Sequence, residues 1–141
     1  MTVKDKLLWV WQFPQNIAGF VLTRFDKATA QVAMNDRSVV TVHYTSNVFN
    51  CGVSLGKYVI LDYKVYYGKK VYATWNHEHG HQKQSAMLGP LYLIVVGLTS
   101  AIFNNLWDRL FHKSWGETKR YNWYYNRFPE KWADKLGGVT R

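Results

Sequence analysis

Cysteine is nearly absent from this sequence: Cys51 stands alone among 141 residues. One thiol forms no intrachain disulfide and builds no cysteine-rich zinc module, so any bound metal must rest on histidine and carboxylate. Proline is scarce too, and Pro14, Pro90 and Pro129 each stand at an element boundary. There is no repeat, low-complexity tract or Pro/Gly/Ser linker, so residues 1–141 read as a single domain. Acidic residues are few, nine Asp and Glu against 18 Lys and Arg, for a net charge of +9. What is plentiful is apolar and aromatic. Hydrophobic residues make up 48% and charged ones 19%, which excludes a disordered or collagen-like chain. Aromatics reach 17%, more than a core of this size uses, and Trp and Tyr favour boundaries between apolar and wet surroundings.

Lys4 and Lys6 precede the apolar residues 7–10, but Trp11, Gln12, Pro14, Gln15 and Asn16 follow without a small-residue cleavage site. The expectation is therefore an intracellular protein with no secretory signal. Phe13-Pro14 predicts a break followed by a helix over Gln15 to Arg24. Ser38 to Ser46 and Lys57 to Tyr63 are rich in β-branched and aromatic residues, and the turn formers at Asn50 to Gly52 and Gly68 punctuate them. A short antiparallel sheet is expected there. A helix fits Val71 to Met87. Gly89-Pro90 ends it and starts an apolar helix, and Pro129 opens a last helix that Gly137-Gly138 closes. The whole predicts an α+β fold.

His77-Glu78-His79-Gly80-His81 is an H-E-x-x-H motif inside a predicted helix. Residues four apart share a helix face, so His77 and His81 offer two imidazoles to one ion. Glu78 projects beside them and is placed to hydrogen-bond a water on the metal, as a general base does. His79 lies about 100° round the helix and is expected to be solvent-facing or hydrogen-bonded. An exposed polar helix face without metal is the competing reading, and a third ligand decides between the two.

Further along, Glu130-Lys131-Trp132-Ala133-Asp134 reads E-x-x-A-D. Together with H-E-x-x-H, in that order, it resembles the signature helices of gluzincin zinc metallopeptidases of the CAAX-prenyl-protease type. The resemblance implies a small zincin-like domain with Zn2+ on His77, His81 and Glu130, Glu78 as general base and Asp134 supporting the histidine helix. Two histidines and one glutamate suit a catalytic zinc, because they leave a fourth position for water. Asp134, one turn after Glu130, shares its face and is placed to accept an N–H from a ligating imidazole.

Other residues carry weaker signals. His112 reads as a surface or membrane-interface histidine, with a catalytic auxiliary role as the alternative. Tyr121, Tyr124 and Tyr125 are candidate oxyanion donors or, more simply, packing around the last helix. The run from Gln84 to Trp107 carries no charge over 24 positions, long enough to span a bilayer. A single crossing would put His81 and Glu130 on opposite sides, so a zinc site requires the run to turn at residues 97–100 or to lie core-buried or interfacial against Leu8, Trp9, Ile17, Phe20 and Leu22. Basic and aromatic residues from Lys113 to Lys135 beyond an apolar run point to an anionic membrane surface, with nucleic acid as the runner-up. The function expected is a membrane-associated zinc metallopeptidase acting on a peptide or protein substrate, added as a strand beside the residue 57–63 edge. A non-catalytic zinc-binding module and a nucleic-acid-associated zincin remain the alternatives.

Overall fold

A computed structural model describes residues 1–46, 52–64 and 71–141. Asn50, Cys51 and Gly68 lie outside the described residues. The N-terminal segment forms two helices, α1 (Val3–Trp11) and α2 (Phe13–Leu22), instead of one starting at Gln15. Thr2 and Asp5 cap α1 reciprocally, each side chain accepting from the other's backbone N–H. That box, Thr-x-x-Asp, satisfies two donors the first turn leaves unpaired. Pro14 sits in the first turn of α2, where its missing N–H costs nothing.

Four strands follow: β1 (Asp26–Ala33), β2 (Val39–Thr45), β3 (Gly52–Leu55) and β4 (Tyr58–Asp62). Their order is β1-β2-β4-β3. The expected antiparallel sheet is therefore mixed: β1–β2 and β3–β4 are antiparallel, whereas β2 and β4 run parallel. The β3–β4 hairpin turns at Gly56, whose φ of 63° a residue with a Cβ adopts only with strain. It docks with β4 inward, and β4 is buried along most of its length, as suits an interior strand. The residue 57–63 segment is consequently not an edge, and a peptide cannot add beside it. Val32, Met34, Val42, Tyr44, Val59 and Leu61 form the core, and Trp75 of the next helix donates its indole N–H to the Tyr44 hydroxyl.

Helix α3 (Val71–Leu88) carries the H-E-x-x-H motif. A tight 3-10 turn at Gly89–Leu91 then swings the chain through 117° into a second helix, α4, Leu93–Phe111, π-wound as far as Leu106. The bend thus falls at Gly89-Pro90 and not at residues 97–100, and residues 84–88 of the uncharged run belong to α3. Among the described residues no single helix is long and apolar enough to cross a membrane. Helix α5 (Glu117–Tyr125) folds back along α4, held by paired hydrogen bonds from Arg120 to Asp108, and α6 (Glu130–Gly137) ends at Gly138 in the left-handed region.

The expected packing of α4 is corrected as well. It is not core-buried, since among residues 93–106 only Val96 and Asn104 are buried, and Ile17 and Phe20 of α2 are themselves exposed. His112 is the reverse case. It is buried, stacked on Trp115 at 3.6 Å and bonded to Asp108, instead of lying at a surface.

Candidate metal centre

The site exists because α3 and α6 approach backbone to backbone. A Cβ on Gly80 of α3 would stand 1.9 Å from the Ala133 carbonyl oxygen, and one on Gly137 of α6 would stand 1.9 Å from that of Asn76. Only glycine at both crossings allows this contact. The β1–β2 turn latches the same two helices. Asn35 donates its backbone N–H to Asn76 Oδ1 and its side-chain amide to the Gly137 and Gly138 carbonyls. Asp36 of that turn accepts from His79 and Lys83. His79 therefore faces the turn and away from His77 and His81.

Across the helix pair, Glu130 Oε2 lies 3.0 Å from Nε2 of His77 and 3.0 Å from Nε2 of His81. The three donor atoms lie within 4.8 Å of one another, and all three residues are buried. The second nitrogen of each imidazole is already engaged. His77 Nδ1 is 2.7 Å from Asp134 Oδ1, and His81 Nδ1 is 2.6 Å from Gln84 Oε1. The Gln84 amide is oriented by its own N–H donation to the Pro129 carbonyl, so its oxygen faces the imidazole. Gln84 Oε1 accepts from Nδ1–H, so Nε2 of His81 turns to the Glu130 oxygen either as a lone pair or as a second N–H. Two electron-rich atoms at that separation need a cation or an extra proton between them.

Electrostatics follow from this crowding. Burial opposes the imidazolium of His77, but its bonds to Asp134 and Glu130 outweigh that and raise its pKa to about 9. Burial likewise opposes the Glu130 carboxylate, which the two histidines nonetheless hold well below its ordinary value. Asp134 is lowered against burial by His77 and by Arg141, which donates to it from Nε at 2.7 Å. Glu78 differs: burial raises its pKa, and among the described residues Oε2 has no hydrogen-bond partner. A buried carboxylate oxygen without a partner is costly unless something absent from the protein, such as a water on a metal, meets it.

These observations test whether zinc fits. Donors about 2.0–2.1 Å from a tetrahedral ion lie about 3.3 Å from each other, near the 3.0 Å that separates Glu130 from each imidazole. Nitrogen and oxygen donors, oriented ligands and an adjacent unpartnered carboxylate make a donor set suited to that ion. The structure thus brings together all five residues expected at the site: His77, Glu78, His81, Glu130 and Asp134.

Sequence reasoning missed two side chains. Ser100, from the middle of α4, donates to Glu130 Oε1. Gln84 orients His81, and its position three residues on from His81 in the helix was the available signal. Tyr125 packs its ring edge-on to His77 at 5.2 Å. Of the other tyrosines, Tyr124 lies 3.4 Å from Ser100 Oγ and accepts from Asn105, and Tyr121 accepts from Arg141. No protein-family model, curated protein or solved structure matches this chain.

Proposed function

We propose that the protein is a zinc-dependent metallopeptidase with a gluzincin-like, zincin-type arrangement. The observation that carries this reading is the convergence of His77, His81 and Glu130 donors beside the buried Glu78, whose Oε2 has no hydrogen-bond partner among the described residues. Zinc held there supplies a Lewis acid that lowers the pKa of water and polarises a carbonyl. Glu78, with its affinity for protons raised by burial, accepts a proton from the attacking water and returns it to the leaving amine as the C–N bond breaks. Asp134 and Gln84 hold the two imidazoles with Nε2 toward the ion, and Ser100 fixes the other oxygen of Glu130.

Metal analysis of the purified protein should find about one zinc per chain, as a three-ligand site requires. His77→Ala, His81→Ala and Glu130→Ala should each lose most of it. Glu78→Gln should keep the zinc and lose hydrolysis of a broad peptide library, because an amide cannot accept the water proton. Zinc retained by Glu130→Ala, or hydrolysis retained by Glu78→Gln, would overturn the assignment.

The burial of every ligand and of Glu78 favours one second reading, in which the zinc is structural and clamps α3 to α6. Under that reading wild-type protein carries zinc and cleaves no member of the library.

A further inference from the structure

Two helices of this protein are inside out. Along α4 every fourth residue of one stripe faces inward, and these are Val96, Ser100, Asn104 and Asp108, with Tyr92 just before the helix and His112 just after it. Most are polar, and they bond to Ser54, Glu130, Phe128 and Arg120. The opposite stripe, Ile94, Leu98, Ile102, Leu106 and Leu110, is wholly apolar and 45–61% exposed. Phe103, Trp107 and Phe111 flank it and are equally open. Helix α2 repeats the inversion: Gln15, Asn16 and Gly19 are buried, while Phe13, Ile17, Phe20 and Val21 are exposed. A helix at a water-facing surface has the opposite polarity. The two inverted helices border one corner, because Trp11 lies over Gly89 and Gln15 donates to the Gly89 carbonyl.

We infer that these outward faces of α2 and α4 dock into one leaflet of an anionic phospholipid bilayer. Charge selects this occupant. Residues 7–23 and 84–107 carry none, and within six residues of them the exposed charged side chains are Lys4, Lys6, Arg24, Lys27, Arg109 and Lys113 against a single acid, Asp5, turned onto Thr2; Glu117 is exposed further along. An apolar middle with basic ends, and with Trp11 and Trp107 on the exposed surface, matches acyl chains below anionic headgroups. Depth is set by the fold. Among the described residues no single helix is long and apolar enough to cross, the uncharged run being bent by 117°, and His81 before its start meets Glu130 after it, so the chain enters and leaves on one side. The inference is independent of catalysis, since it concerns the face of α4 opposite Ser100.

Sedimentation of the full chain with phosphatidylcholine vesicles, with and without phosphatidylglycerol, tests it. Wild type should pellet with the phosphatidylglycerol vesicles and bind phosphatidylcholine alone more weakly. The triple variant Ile94→Glu, Leu98→Glu, Ile102→Glu should lose at least about tenfold in affinity while keeping wild-type zinc content, which reports an intact fold. If that variant loses zinc, wild-type protein decides: brominated acyl chains should quench tryptophan fluorescence, and Trp107→Tyr should reduce the quenching. Wild type left in the supernatant with anionic vesicles, absence of quenching, or a zinc-loaded triple variant that binds like wild type would each overturn the inference. So would a lipid-free dimer that Leu98→Glu dissolves, because it would show a second copy to be the occupant. Zinc content and peptide hydrolysis are read separately, so failure here is distinct from failure of the peptidase assignment.

Discussion

At the scale of single residues, the site is built from pairs in which one group fixes another. Asp134 is shared between His77 Nδ1 and the Arg141 guanidinium, which also lies 3.5 Å from the centre of the Tyr125 ring. Asp134→Asn keeps the shape but weakens the hold on the imidazole, so zinc affinity should fall roughly 10- to 100-fold without vanishing. Isothermal titration with a competing chelator checks this, and unchanged affinity would reduce Asp134 to a partner of Arg141 alone. Ser100→Ala removes the donor on Glu130 Oε1 and leaves a buried carboxylate oxygen short of a bond. The expected result is a loss of roughly tenfold in zinc affinity, with an α-helical spectrum like wild type. His77, Glu78 and His81 were legible in the sequence because helical spacing sets their faces, whereas Glu130 and Asp134 were legible through the resemblance of E-x-x-A-D to a gluzincin signature. Ser100 was not, since its partner lies 30 residues away and nothing local distinguishes it from a turn former.

Elements decide whether those residues meet. Gly80 and Gly137 permit the α3–α6 contact, and neither is a ligand. Gly80→Ala would drive a methyl into the Ala133 carbonyl, so it should cost about 3 kcal/mol or more in stability and lower zinc content along with it. Denaturant unfolding and metal analysis of one preparation would show both effects, and a stable, zinc-loaded Gly80→Ala protein would contradict the crossing. Between α4 and α5 the tie is Asp108, whose carboxyl is held below its ordinary value: burial works against this, and Arg120 and His112 prevail. A carboxyl lowered in the folded state stabilises above its unfolded pKa of about 4 and ceases to as pH falls through the lowered folded value. Asp108→Asn should therefore lower stability at neutral pH and flatten its decline on acidification. Parallel declines in variant and wild type would show that the pair contributes nothing.

For the whole molecule, metal and fold are linked. Zinc on His77, His81 and Glu130 would join the two helices that the residue 34–38 turn also ties, so the ion should bind the native chain and not the unfolded one. At roughly a hundredfold excess over Kd that is worth about 2.7 kcal/mol, visible as a rise in Tm that His77→Ala abolishes. An identical Tm with zinc and with chelator would mean that the cluster stands without an ion.

Periodicity and punctuation in the chain were enough to establish the α+β class, the helix bearing H-E-x-x-H and the last helix between Pro129 and Gly138. They rest on local rules: helical spacing, where proline is tolerated, and where glycine adopts a positive φ. Strand β1 escaped because its alanines carry little strand signal, and it exists by pairing with β2. The parallel β2–β4 pairing likewise depends on how the β3–β4 hairpin docks, which no window of sequence contains. The outward face of α4 is the sharpest case. Its composition showed a long uncharged run, but only tertiary structure decided that the polar stripe turns inward to Glu130 and Arg120 while leucine, isoleucine and phenylalanine face out. The physical reason is that the buried carboxylate of Glu130 must be hydrogen-bonded, and Ser100 of that helix supplies a partner, while Asp108 on the same stripe accepts from the half-exposed Arg120.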